Sequence, residues 1–95
     1  MKNFRHLKIK WTDYLKYRID LRGYTLKEIE RIIRKSPERY FDTETRRNIV
    51  VGKHDNRLVV IPFEIFDDEI VPITVHAISR QQINFRIKTG RFENE

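Results

Sequence analysis

The residue types best suited to chemistry in this 95-residue chain are a histidine and several basic side chains. His76 follows an alternating apolar segment, and Arg80 comes four residues later at the start of a predicted helix. An imidazole and a guanidinium beside one phosphate can move protons and neutralise a phosphorane, and RNA cleavage requires little more. The pattern therefore makes His76 and Arg80 candidate catalytic residues of a metal-independent ribonuclease.

Other polar and basic side chains could hold the RNA backbone near this pair. They are Arg46, Arg47 and Lys53 on a predicted hairpin and Asn84, Lys88 and Arg91 on or just after the last predicted helix. Two plainer interpretations stay open: His76 as a polar residue on an exposed sheet face, and Arg80 as the ion-pair partner of Glu64 or of an acidic turn.

Several other chemistries lack their residues. The chain has no cysteine, which excludes disulfide scaffolds, zinc ribbons and cysteine nucleophiles. Its three glycines are isolated, so no glycine-rich nucleotide loop exists. His6, His54 and His76 lie far apart without metal-ligand spacing on one element. We expect neither a metal site nor a cofactor.

Charge is distributed unevenly along the chain. The formal net charge is +6, and residues 1–35 alone hold eleven Lys and Arg against four Asp and Glu, whereas residues 59–75 hold four acids and no Lys or Arg. Such a field attracts polyanions such as RNA, although it could also serve solubility alone. The longest apolar stretch, residues 58–63, is too short to span a membrane, and the N-terminus lacks a signal peptide's apolar core. We expect a cytoplasmic protein without a membrane partner.

The N-terminal third of the chain is predicted to hold a short strand and two helices. Residues 7–11 alternate apolar and basic side chains, which favours a lead-in strand. Thr12 and Asp13 can cap a helix that runs to about Arg22, where Gly23 ends it. A capping box from Thr25 to Glu28 begins a second helix, which the Ser-Pro pair at 36–37 stops.

The rest of the chain is predicted to be strands followed by one helix. Strands are expected around 40–41, over 47–53, over 58–63 with a bulge or unpaired end at Pro62, and over 70–78. Ser79 to Gln82 forms a second capping box, and Gly90 ends the last helix. We predict a single α+β domain, residues 1–95, with an antiparallel sheet of three to four strands packed with two N-terminal helices and one C-terminal helix.

The order of these segments resembles the RelE/ParE-like toxin superfamily, and within it the BrnT-like proteins and their uncharacterised small cousins. The matching segments are WTD at 11–13, RGYTLKEIE at 22–30, YFD at 40–42, IVVG at 49–52, LVVI at 58–61 and ITVHAISR at 73–80. This resemblance covers most of the chain. One position departs from it, because many cousins have histidine where this chain has Tyr14.

The resemblance implies a RelE-like fold and the toxin role in a toxin–antitoxin pair. Typical members cut messenger RNA without a metal, sometimes on the ribosome, and a small antitoxin protein silences them. His76 and Arg80 match the segment after the last long strand, where such proteins place basic residues. From a different class of function, the alternative is a non-catalytic module of the same fold that binds nucleic acid or protein.

Overall fold

The structure is a computed structural model that describes residues 7–95. These residues form three helices and seven strands. They are β1 (Lys8–Ile9), α1 (Asp13–Leu21), α2 (Leu26–Lys35), β2 (Glu38–Asp42), β3 (Arg47–His54), β4 (Arg57–Phe66), β5 (Glu69–Pro72), β6 (His76–Ala77), α3 (Arg80–Lys88) and β7 (Phe92–Asn94).

All described strands belong to one sheet, in the order β1-β5-β4-β3-β2-β7, with β6 pairing with β4 off this path. Strand β1 runs parallel to β5, and the other pairs are antiparallel. The predicted α+β class with two N-terminal helices and one C-terminal helix is confirmed. The predicted sheet of three to four antiparallel strands is wrong, because the described residues form a mixed sheet of seven strands in which β1 runs parallel to β5. Strand β1 lies within the predicted lead-in segment, the segment predicted as one strand over 70–78 supplies both β5 and β6, and β7 was not predicted.

Helices cover both faces of the sheet. Helices α1 and α2 pack on one face, which we call the α1–α2 face, where Leu15 and Ile29 meet Val50 and Phe63. Helix α3 packs on the other face, which we call the α3 face, where Ile83 meets Val51, Val60 and Phe92. Successive side chains of a strand point to opposite faces, so the unbroken apolar run in β3 and β4 supplies both cores.

Side-chain caps begin all three helices. The Thr12 hydroxyl accepts from the Leu15 amide at 3.1 Å, and the Thr25 hydroxyl accepts from the Glu28 amide at 3.3 Å. The capping box predicted at Ser79 is complete.

The capping box predicted at Thr25 is only half formed. The Thr25 amide donates to His54 Nε2 at 3.0 Å, so a buried histidine of β3 takes the place expected for the Glu28 carboxylate. That carboxylate instead accepts from Arg31 at 3.0 Å.

Pro62 lies inside β4 without a bulge, because the register with β3 continues through the Ile49–Pro62 pair. The Pro62 carbonyl accepts from the Ile73 amide at 2.8 Å, so the proline nitrogen faces the same side of β4. There the connection between β5 and β6 leaves β4 without a neighbouring strand. The missing N–H therefore removes no rung of the ladder.

The single strand predicted over 70–78 is wrong. The chain leaves the sheet between Pro72 and His76, and this break changes which residues share a face. Val71 pairs with Glu64 and Val75 is buried among α1–α2 residues. Ala77, which a continuous strand would place on the same face as both, is exposed. The interruption brings His76 to the start of a short edge strand.

Candidate nucleic-acid interface

His76 lies at an edge of the sheet. The register aligns Glu38 with Val51, Val51 with Val60, and Val60 with His76, so these four residues form one row across β2, β3, β4 and β6. Val51 and Val60 point to the α3 face, and directly paired residues share a face. The His76 side chain is therefore on the α3 face, about 14 Å across three strand spacings from Glu38.

The nearest polar neighbour of the His76 ring is Arg22, the C-cap residue of α1. Its Nη1 atom lies 3.1 Å from His76 Nδ1 and also donates to the Val75 carbonyl. A guanidinium carries only donors, so His76 Nδ1 must be the acceptor and the ring proton belongs on Nε2. In this arrangement the imidazole is neutral.

Electrostatics favour the same neutral form. Although His76 is exposed overall, partial desolvation of its ring lowers its pKa below the usual 6.5, and the positive charges of Arg22, Arg18 and Arg86 lower that pKa further. Helix α1 contributes two of these arginines and helix α3 contributes the third. We call His76, Arg18, Arg22 and Arg86 the His76 cluster.

Carboxylates do not neutralise the arginines of this cluster. Among residues 7–95, no ion pair joins Arg18, Arg22 or Arg86 to an acidic side chain. The Arg18 guanidinium lies 5.8 Å from the Tyr14 ring centroid and that of Arg86 lies 5.4 Å from the Phe92 centroid. In the same described part of the chain, Arg18 Nε is buried without a hydrogen-bond partner. Such a concentration of donors and positive charge is suited to an anion such as a phosphodiester.

Arg80 is directed away from this cluster. Both terminal nitrogens of Arg80 donate to the Glu38 carboxylate, with Nη2 to Oε1 at 2.9 Å. Glu38 also accepts from the Tyr40 hydroxyl at 2.7 Å. The hydrogen bonds from Arg80 and Tyr40 hold the pKa of Glu38 below its usual value, and burial and Glu38 raise the pKa of Tyr40 to about 12. Because Glu38 stands at the far end of the row, the structure does not bring the predicted pair His76 and Arg80 together.

Arg91 is also held by an acid. Its guanidinium donates to both oxygens of Asp42, with Nη2 to Oδ2 at 3.1 Å, and Asp42 is 2% exposed. Burial alone would raise the pKa of Asp42, but hydrogen bonds from Arg91 and from the Thr45 and Glu44 amides together lower it. The pair ties the segment after α3 to β2.

The remaining predicted RNA contacts are dispersed. Arg47 pairs with Glu64 at 3.0 Å, and Lys53 stands at the other end of β3, about 20 Å away at the rise of a strand. Arg46 is exposed in the turn before β3, with a positive φ of 60°. Asn84 and Lys88 are exposed on α3. These last three side chains are accessible, but they do not converge with His76 on one point.

An open groove of about 830 Å³ shares one arginine with the His76 cluster. It lies between α3 and the turn after β2, and its lining includes Thr43, Gln81, Phe85, Arg86 and Arg91. Arg86 belongs both to this groove and to the His76 cluster.

Sequence reasoning missed Arg18, Arg22 and Arg86. One local signal was present, because Tyr14, Arg18 and Arg22 follow each other at intervals of four and so lie on one side of α1. That α1 would bring this stripe to His76, 54 positions after Arg22, depends on tertiary packing.

The described residues offer no assembled metal site and no helix that could cross a membrane. Between residues 7 and 95 no group of three or more His, Cys, Asp or Glu side chains is placed to hold a metal ion. In the same range no helix is long and apolar enough to cross a membrane. No protein-family model, curated protein or solved structure matches the chain.

Proposed function

We propose that this protein binds RNA at the His76 cluster and cleaves it without a metal, as the toxin component of a toxin–antitoxin pair. The observation that supports the RNA site is the His76 ring held 3.1 Å from Arg22, with Arg18 and Arg86 near enough to lower its pKa. The toxin role is supported by the resemblance to RelE/ParE-like proteins. In this proposal the chain acts in the cytoplasm and a small antitoxin protein is its partner.

The cluster has the groups for transesterification of an RNA phosphodiester. A phosphate oxygen attracts the Arg22 guanidinium, and this leaves the lone pair of His76 Nδ1 free. That nitrogen then takes the proton of the 2′-hydroxyl as the oxygen attacks phosphorus. Arg18, Arg22 and Arg86 offset the charge that develops on the phosphorane, and the departing 5′-oxygen takes a proton from solvent. The product is a 2′,3′-cyclic phosphate.

A second candidate function is non-catalytic RNA binding. The hydrogen bond between Arg22 and His76 Nδ1 favours it, because this bond occupies the lone pair that a general base needs. In that case Arg22 stays on the ring when the phosphate binds, and Nε2 donates to the phosphate as a fixed contact. The two candidates share the site and differ in whether Arg22 leaves the ring.

The test is incubation of purified protein with RNA in EDTA, with cleavage ends mapped. The variants are His76→Ala, Arg22→Ala and Arg80→Ala, and Lys16→Ala is the matched control because it removes one positive charge from the same helix as Arg22. Circular dichroism first establishes that each variant is folded. We expect cuts with cyclic-phosphate ends that survive EDTA, persist in Lys16→Ala and disappear in His76→Ala and Arg22→Ala.

Other outcomes separate the alternatives. If Arg80→Ala loses cleavage and Arg22→Ala keeps it, the catalytic residues are His76 and Arg80, as the sequence predicted, and not His76 and Arg22. RNA retained without cuts, and released by salt and by Arg22→Ala, establishes the binding module instead. RNA neither cut nor bound would overturn both candidates. For the toxin role, induced expression should arrest growth of the host, and His76→Ala should relieve the arrest.

A further inference from the structure

Helix α1 presents an aromatic ring in line with the arginines of the His76 cluster. Tyr14 is 59% exposed, so its ring is not part of the core. Its centroid lies 5.8 Å from the Arg18 guanidinium, near the outer limit for a cation–π contact. Arg18 is followed one turn later by Arg22, which reaches His76. Tyr14, Arg18 and Arg22 thus follow one another along a line that winds about 40° around α1 at each step, and His76 lies at its Arg22 end.

The dimensions of this line suit a short piece of single strand. Eight residues separate Tyr14 from Arg22, which is about 12 Å along a helix axis. Aromatic and cationic groups follow one another along the line, just as bases and phosphates follow one another along a strand. An apolar protein partner laid on the same line would have to desolvate Arg18 and Arg22 without supplying negative charge.

We propose that Tyr14 stacks on an unpaired base of RNA whose neighbouring phosphate binds at Arg22 and His76, so that the protein selects single-stranded RNA. The inference rests on the proposed RNA site and adds to it which structural form of RNA is bound. In a duplex the flat faces of the bases are stacked on each other, so a duplex offers its phosphates to the arginines but no base to Tyr14.

Tyr17 provides a matched control on the same helix. It is 60% exposed, nearly the same as Tyr14. Helical geometry places Tyr17 about 140° around the axis from Arg22, whereas Tyr14 is about 80° from Arg22 and about 40° from Arg18. A general effect of removing a surface tyrosine from α1 would appear equally in both variants.

The experiment is an abasic scan. A single-stranded RNA in which 2′-methoxy groups replace every 2′-hydroxyl cannot be cleaved, and a set of such strands lacks one base at each successive position. Affinities are measured for wild type, Tyr14→Leu, Tyr14→Phe and Tyr17→Leu. We expect one abasic position to weaken wild-type binding by about tenfold, the usual scale of base–aromatic stacking. Tyr17→Leu and Tyr14→Phe should keep this sensitivity, and Tyr14→Leu should lose both the sensitivity and the preference for single strands.

Each contrary result has a distinct meaning. A flat scan in wild type, or a sensitive position that persists in Tyr14→Leu, overturns the stacking, and the RNA site itself survives if Arg22→Ala still weakens binding. A loss in Tyr14→Phe as large as that in Tyr14→Leu overturns stacking in favour of a hydroxyl contact. If wild type binds neither single-stranded nor double-stranded RNA, the proposed function falls and the inference falls with it.

Discussion

Arginines near β2 and near β6 have opposite kinds of partner. Close to β2, Glu38 holds Arg80 and the buried Asp42 holds Arg91, so carboxylates neutralise both cations. Close to β6, Arg22 contacts a carbonyl and a neutral imidazole, and its positive charge stays uncompensated. The residue type is the same in both places. What distinguishes a structural arginine from one available to a ligand is whether a largely buried carboxylate stands opposite, as Glu38 and Asp42 do here.

The first prediction concerns stability and the buried ion pair between Arg91 and Asp42 near β2. Arg91→Leu should lower the free energy of unfolding by about 3 kcal/mol, because it leaves the Asp42 carboxylate buried without its ion pair. Asp42→Asn added to Arg91→Leu should recover part of this loss, since no buried charge then remains. Urea denaturation measures both variants, and a loss below about 1 kcal/mol in Arg91→Leu would contradict a structural role on this scale.

Next in size is the effect of the uncompensated arginine on RNA affinity. We expect Arg22→Ala to weaken RNA binding by about tenfold and to reduce the slope of log affinity against log salt by about one, the signature of a lost phosphate contact. Arg80→Ala, which removes the same charge from a neutralised pair, should change affinity by less than about twofold. A salt titration by fluorescence anisotropy compares the two variants. Equal losses of RNA affinity in the two variants would show that the arginines near β2 and near β6 do not differ in their availability to RNA.

A third expectation concerns the titration of His76. Partial desolvation and three arginines lower the folded pKa of His76 below 6.5, so the unfolded chain binds the proton more tightly. Stability due to this group is therefore fully present above pH 6.5 and decreases as the pH falls toward the lower folded value. NMR titration should show that Arg22→Met raises the His76 pKa, with His76→Gln used to assign the resonance. An unchanged pKa in Arg22→Met would contradict the assigned contact.

Local signals in the sequence predicted the helices and the two long central strands. Each helix has a capping side chain and a glycine or proline near its end, all within a few residues of each other. Strand β7 has no comparable signal, because three residues show no period and its backbone partner lies in β2. Strand β1 falls within the alternating segment 7–11 that predicted a lead-in strand, but nothing local predicted its parallel pairing with β5. The tail after Gly90 had no predicted structure, yet Phe92 packs in the core of the α3 face and pairs with Asp42 across β7 and β2.

The candidate site was predicted only in part, because its contacts also join residues that are far apart in the sequence. His76 is recognisable from its residue type and its place after an apolar segment, but its neighbours come from distant parts of the chain. Arg22 precedes His76 by 54 positions, and Glu38 precedes Arg80 by 42. Spacing along one element cannot reveal which of several arginines meets an acid. That choice depends on the strand register, which places Glu38 at the far end of the row from His76.

The fourth prediction concerns the ion pair between Arg47 and Glu64, for which we expect only a small contribution to stability. Arg47 pairs with Glu64 at 3.0 Å, but their side chains are 38% and 51% exposed, so water screens the attraction. A double-mutant cycle with Arg47→Ala and Glu64→Ala should give a coupling below about 0.5 kcal/mol in the free energy of unfolding. A larger coupling would place Arg47 with Arg91 among the structural arginines. If the coupling is small, the Arg47 guanidinium can separate from Glu64 and bind a phosphate instead. In that case Arg47→Ala should weaken RNA binding more than Arg80→Ala does.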